Sequence, residues 1–448
     1  MISAPLVAAP DRSGRRSQIH PVVFQMVAVM PVLIWFVKRL NDGSDEPLGL
    51  LTLAFAAGMA WRERKAFQPG RAERVVGGVL LLISVVGIHW LPPMIRAGLA
   101  ICGLAAWYGV HRRGGLMGLL FLSLPVVASM QFYLGYPLRL FAAEGAVHLL
   151  QLGGAVVART GTEIQLGGYA IGVDPACAGV RMLWHALAAA MALAAIHRLT
   201  WRATLAAGLL GFLLVIPANI LRATLLATME RGYLSAFGLT HGGVGVLSFA
   251  LLLLPLWFVV SKMSRSVATV PLSSTNDRGG ISLVMISAGM APLMMLASPR
   301  HPGPPDLGKG PELFTFDGVT LPLTPLPASA AEKAFAESFP GTLASFRWAD
   351  SQVILRRVNV ATRRLHPSRD CLHAAGFETT DAFTVRLGDR SEWARFHATR
   401  NGERWIVSER ITSELNNHSW TDASAWFWGA VRQPLNGPWQ AETVISKF

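Results

Sequence analysis

The stretch Asp174-Pro175-Ala176-Cys177-Ala178-Gly179-Val180-Arg181 carries the chain from a polar loop into an apolar run that continues to Ile196. Two more reactive side chains, Arg222 and His241, fall at the ends of later apolar segments. If the chain threads a membrane, its charge pattern puts the thiol, the guanidinium and the imidazole on one face, where they can form a cysteine transpeptidase or protease site.

Composition supports the membrane reading. Of 448 residues, 52% are hydrophobic and only 15% charged, and the mean hydropathy is positive. That balance is too apolar for an ordinary soluble protein and normal for a polytopic membrane protein. The three cysteines, Cys102, Cys177 and Cys371, form neither a C-x-x-C pair nor a dense disulfide framework, so no structural zinc site is expected. The net charge of +13 comes from short basic clusters between apolar runs. It reads as a topology signal, and no nucleic-acid partner is expected.

Runs long enough to approach a span lie near Val22 to Val37, Leu48 to Trp61, Val75 to Leu91, Met94 to Val110 and Leu116 to Leu134. Others follow at Val180 to Ile196, Ala203 to Ile220, Val244 to Val260 and Ile281 to Ala297. The expected fold is an α-helical polytopic membrane protein of about nine transmembrane helices, with a small α+β extracytoplasmic C-terminal domain. The first run lacks a small-residue cleavage site and is expected to act as a signal anchor.

Basic residues resist translocation. Arg12, Arg15 and Arg16 place the N-terminus inside, as do Arg62, Arg64, Lys65, Arg71 and Arg74 for the second connection. Arg112 and Arg113, then Arg198 and Arg202, then Lys262 and Arg265 mark the later inner loops. By this count Gly135 to Gly179, Arg222 to Gly243 and everything after Ser298 lie outside. In the outer segment, Pro137 to Ala158 suits an interfacial helix and Thr162 to Val173 a short hairpin.

At these residues the chain resembles the exosortase and archaeosortase family of membrane-embedded sorting transpeptidases. Pro175-Ala176-Cys177-Ala178-Gly179-Val180-Arg181 is similar to the family's Ala-Cys-Ser-Gly-Leu-Arg box, with Ala178 for Ser and Val180 for Leu. Asn219-Ile220-Leu221-Arg222 is similar to its Asn-x-x-Arg box, and His241-Gly242-Gly243-Val244-Gly245 to its His block.

The resemblance implies exported precursor proteins as partners, each with a C-terminal sorting signal made of a short motif, a transmembrane helix and a basic tail. Cleavage then occurs just outside a bacterial inner membrane, and the new carboxyl end passes to an acceptor. Membrane lipids are the other partner, no cofactor is expected, and the oligomeric state is open. The chemistry assigns Cys177 as nucleophile, activated by nearby positive charge. Arg222 suits the developing oxyanion, and His241 suits proton transfer to the leaving amine and from the incoming nucleophile. Arg181 and Asn219 are second choices, for orienting Cys177 or gripping substrate backbone. Trp184 and His185, one turn below Cys177, read as bundle packing.

The expected organisation is a cytoplasmic tail over 1–20, a membrane catalytic domain over 21–262 and a cytoplasmic loop over 263–280. A further transmembrane helix over 281–298, a Pro-rich linker over 299–312 and an extracytoplasmic α+β domain over 313–448 complete it. Strands are expected at Val353 to Val360, Phe383 to Leu387 and Trp393 to Thr399. Arg400-Asn401-Gly402-Glu403 then makes a hairpin turn into Arg404 to Ile411. Within it, the block His366 to Phe377 resembles the domain often joined to exosortases, with His373 and Ala374 as departures and no catalytic role carried over. His366, Cys371 and His373 lack a fourth ligand at an established spacing, so no metal is expected there.

Two rival classes remain. A transporter would place acidic residues at mid-span, and these spans carry almost none. A noncatalytic assembly or receptor protein for polysaccharide or protein export, binding through its C-terminal domain, is the stronger alternative.

Overall fold

A computed structural model describes residues 21–41, 47–167, 169–173, 178–231, 240–263, 278–296, 311–337, 339–380, 382–416 and 418–448. Its helices are α1 (Pro21–Asn41), α2 (Gly49–Glu63), α3 (Arg71–Val86), α4 (Pro93–Tyr108), α5 (Gly114–Leu122), α6 (Val127–Leu152), α7 (Val180–Ile196), α8 (Trp201–Glu230), α9 (His241–Ser261) and α10 (Arg278–Leu296). Each follows an apolar run, as required where no water is available to satisfy backbone polar groups.

The lengths support five or six spans rather than about nine. Among the described residues five helices are long and apolar enough to cross a membrane, α1, α3 continued by a 3-10 turn to His89, α8, α9 and α10, and a sixth if α5 and α6 count as one broken span. Helices α2, α4 and α7 form where apolar runs were expected but have 15, 16 and 17 residues. At 1.5 Å per residue α2 and α4 fall short of a hydrocarbon layer of about 30 Å, and α7 stands at the lower limit of about 17 residues for a span. The run expected to span from Leu116 to Leu134 is interrupted between α5 and α6 by a 91° bend. Pro125 lies in this break; it removes a backbone donor and disfavours helix at the preceding residue. Helix α6 therefore joins the end of that run to most of the expected interfacial segment.

The chain divides into two compact units. One contains α1 as far as Ile34, with α3, α4 and α10. Its centre is Val29, Leu81, Ala100, Trp107 and Val284. Gly77 lets α3 approach α4, since a methyl group there would stand 2.7 Å from the Gly103 carbonyl oxygen.

The other unit holds α2, α5 to α9 and the C-terminal domain. Helix α7 packs against α5, α8 and α9, and α8 also against α6. At one end of α7 the buried Glu63 of α2 receives Arg113 Nη1 at 2.6 Å and Arg198 Nε at 3.1 Å. After α6 the chain forms β1 (Val157–Thr160), β2 (Glu163–Leu166) and β3 (Tyr169–Gly172), an antiparallel meander one strand longer than the expected hairpin. Val157, Ile164, Leu166 and Ile171 pack on Ala142 to Leu150 of α6 and on Ala227 of α8.

The C-terminal domain begins with a hairpin, β4 (Leu313–Phe316) and β5 (Val319–Pro322), followed by β6 (Thr324–Leu326), α11 (Ala330–Ala336), β7 (Gly341–Trp348) and β8 (Ser351–Val358). It continues through α12 (Ser368–Ala374), β9 (Glu378–Thr379), β10 (Phe383–Arg386), β11 (Glu392–Arg400), β12 (Glu403–Ser413), β13 (Ser419–Trp420), α13 (Ala423–Arg432) and β14 (Trp439–Lys447). The main path of its antiparallel sheet runs β10-β11-β12-β14-β8-β7-β6. Alternation along β11 buries Ala394, Phe396 and Ala398 on one face, while Trp393 is buried on the other. At the expected turn Asn401 and Gly402 have φ of 51° and 81°, with Arg400 paired to Glu403. Asn-Gly adopts positive φ at low cost and so fixes the hairpin's register.

Candidate active site at the ends of α7, α8 and α9

Cys177, together with Asp174, Pro175 and Ala176, lies outside the described residues. The residues that receive it are described. Gly179 is the N-cap of α7 with φ of 79°, a left-handed conformation that glycine adopts without steric cost. Space there is also closed, because a methyl on Gly179 would stand 2.7 Å from Asn219 Cγ. Asn219, 2% exposed, donates from Nδ2 to the Ala178 carbonyl at 3.3 Å. Its Oδ1 is buried without a hydrogen-bond partner among the described residues. The first two sequence boxes thus meet, with the asparagine gripping the backbone immediately after the cysteine.

Arg222 comes next on the same helix. The expectation placed it in an outer loop beginning where a span ended at Ile220, but α8 runs on to Glu230. Ala223 to Ala227 contain no helix breaker, and Arg222 itself does not end a helix. The helix has 30 residues, or about 45 Å, so its last turns exceed the hydrocarbon thickness. The guanidinium is half-buried and faces α9, with Nε 3.7 Å from where a methyl on Gly245 would stand.

His241 is the first residue of α9 and is exposed. The helix cap is its neighbour Thr240, whose Oγ1 accepts from the Gly243 backbone N–H at 3.1 Å. The imidazole is therefore not needed as the cap. At Gly242 and Gly243 the nearest atom to an added methyl is Thr240 Oγ1, at 4.0 and 3.3 Å. Gly245, one turn on, faces the arginine instead.

Arg181 is exposed in the first turn of α7. One turn further, His185 Nδ1 lies 2.6 Å from the Arg181 carbonyl oxygen. Its ring packs edge-on to Trp184 at 5.2 Å and to Phe249 of α9 at 5.9 Å. The structure thus brings Gly179, Asn219, Arg222 and the start of α9 to one end of α7. The Glu63, Arg113 and Arg198 cluster occupies the opposite end.

A family model described as transmembrane exosortase matches residues 22–258, just over half of the chain. This chain belongs to the transmembrane exosortase family. The match covers α7, α8 and most of α9, and so every candidate site residue of the exosortase. No curated protein and no solved structure matches the chain.

In the C-terminal domain His366 Nδ1 lies 3.9 Å from Cys371 Sγ, whereas His373 Nε2 is paired with Thr379 Oγ1 at 2.5 Å. Among the described residues, no group of three or more His, Cys, Asp or Glu is placed to hold a metal ion. Burial, reinforced by Arg356, pushes His366 down to about 4. The sequence carried one local signal of how α6 meets the C-terminal domain, Pro137 inside an otherwise helical run.

Proposed function

We propose that this exosortase is a cysteine transpeptidase that cleaves C-terminal sorting signals of exported precursors at the outer face of a bacterial inner membrane. The observation that carries the reading is the bond from Asn219 to the Ala178 carbonyl, which fastens the segment after Cys177 to the helix that bears Arg222. Arginine clusters keep to the inner face, and Arg113 and Arg198 gather at the opposite end of α7. That supports an outward site, an inward N-terminus and an outward C-terminal domain.

In this reading the Cys177 thiolate attacks the scissile carbonyl carbon, and the electron pair moves to oxygen, where Arg222 stabilises it. Collapse expels the amine of the sorting helix, which takes a proton from His241, and leaves an acyl thioester on Cys177. His241 then accepts the proton of the incoming nucleophile, which attacks the thioester and restores the thiolate. Asn219 orients the cysteine loop, and Arg181 lies where the substrate backbone approaches α7. Splitting the amide exchange into two steps lowers each barrier below that of direct exchange.

The test is a Cys177→Ser exosortase present in the membrane at normal level. Precursor cleavage is expected to vanish, and mass spectrometry of the unaltered enzyme with precursor is expected to detect the thioester on Cys177. Unchanged cleavage would reject the catalytic reading and favour a noncatalytic receptor.

A further inference from the structure

Pro137 lies inside α6. It has no N–H, so the Tyr133 carbonyl, four residues earlier, loses its helical donor. A side chain from the C-terminal domain fills this notch: Trp428 Nε1 of α13 donates to Tyr133 O at 2.8 Å. The Tyr136 backbone N–H donates to Ser424 Oγ at 3.1 Å. Arg139, 5% exposed, lies 2.8 Å from Asp422 Oδ1, and that oxygen also caps α13 by accepting from Ala425 N–H. Phe427 meets Phe132 and Tyr133 edge-on at 5.2 and 5.3 Å. Phe132 is itself part of the domain's core cluster, with Trp426 and Trp439.

The other half of α6 lies against α8. A methyl group on Gly145 would stand 2.4 Å from Ile220 Cδ1, and Ile220 sits between Asn219 and Arg222. Ala143 and Ala146 are fully buried in the cluster that includes Ala227 of α8. One rigid helix therefore touches the C-terminal domain at its proline notch and the site-bearing part of α8 two turns later.

We infer that Trp428 and Asp422 are positioning residues for the sorting reaction: by docking at the Pro137 notch, the C-terminal domain fixes α6, and α6 fixes the outer end of α8 that carries Asn219 and Arg222. This rests on the proposed transpeptidase function. A mere tether would need neither feature, since an exposed carbonyl can be satisfied by water. Here the docked domain both covers Arg139 and supplies its carboxylate, so removing Asp422 from the docked state leaves a buried charge unpaired, which is strongly disfavoured.

The test uses the full chain in lipid nanodiscs, with hydrogen exchange read along α6 and along residues 219–230, and with turnover and KM measured on a precursor. Trp428→Phe keeps the ring and removes the donor; Asp422→Asn strands Arg139. Each is expected to speed exchange in α6 and in the outer part of α8. Each should lower turnover about 10-fold, with KM moving less than about 2-fold.

Pro137→Ala restores the N–H that Tyr133 lacks, so adding it to Trp428→Phe is expected to recover most of the loss, and Asp422→Glu should lose less than Asp422→Asn. If Asp422→Asn does not accumulate, Trp428→Phe and its rescue decide. Unchanged turnover and α8 exchange, in a variant whose α6 has been released, overturns the inference, as does a Pro137→Ala background that leaves the Trp428→Phe loss intact. A wild-type chain that cleaves no precursor would sink the transpeptidase reading alone, because the exchange measurement still decides whether the notch holds α8.

Discussion

Where α5 meets α7, a methyl on Gly115 would stand 2.3 Å from the Ala195 backbone nitrogen. Where α13 meets β14, the fully buried rings of Trp426 and Trp439 lie edge-on at 6.0 Å. The two regions belong to one compact unit and pack by opposite means. Lipid is as apolar as leucine, so helices within it gain little from hiding large side chains from their surroundings. They associate by bringing backbones close through glycine and alanine. The sheet domain packs instead by burying large apolar surface, and four tryptophan and phenylalanine rings, Trp393, Phe396, Trp426 and Trp439, are fully enclosed. The same solvent difference places exposed leucines along α8, among them Leu205, Leu209 and Leu213, and ion pairs such as Lys447 with Glu403 on the sheet.

The comparison breaks most severely at Gly115. Gly115→Val would press a branched side chain onto the α7 backbone, which cannot yield as a side-chain tip can. Loss of a monodisperse, correctly assembled bundle is expected, a larger effect than any single cavity, and size-exclusion chromatography in detergent checks it. In the sheet domain the corresponding change is a deletion. Trp426→Ala should cost about 3–5 kcal/mol, read as a lowered urea midpoint for the domain.

A smaller and conditional effect sharpens the contrast. His366 is held at about 4 in the fold against about 6.5 in an unfolded chain. The unfolded state therefore binds the proton first as pH falls. The domain is expected to keep its full stability above about pH 6.5 and to lose up to roughly 3 kcal/mol as pH drops to about 4. A quarter of the ring's side-chain surface remains open, so the loss falls below that ceiling. Asp370, raised by burial, titrates in the opposite sense, its contribution fading as pH rises. Comparing unfolding midpoints of His366→Gln and the parent across this window isolates the histidine: the variant's profile should be the flatter.

Much of this was legible in the sequence where one residue's chemistry decides the outcome. Asn401-Gly402 announces its turn because few other pairs adopt two positive φ values cheaply. The helices were visible as apolar runs, but their lengths were not. Leu116 to Leu134 reads as a single span because hydropathy does not register a right-angled break, and only Pro125 hinted at it. Ile220 looked like the end of a span because Arg222 is charged, although a charge marks depth rather than helix termination.

At the site, the boxes around Cys177, Asn219 and His241 were recognisable one by one. That Asn219 would hold the carbonyl of Ala178 depends on how α7 crosses α8, and no local pattern encodes it. The notch at Pro137 was hidden for the same reason: the carbonyl it frees, that of Tyr133, meets Trp428 across 295 residues of sequence.

The uninterrupted length of α8 makes it a ruler. Asn219 and Arg222 are mounted on the same rod that crosses the lipid, so the height of both side chains is set by counting peptides from Trp201. One residue inserted before Pro217 would lift both by about 1.5 Å and swing them through about 100°, turning asparagine and arginine away from their neighbours at once. The register between the lipid surface and these two side chains is thus written into a single helix.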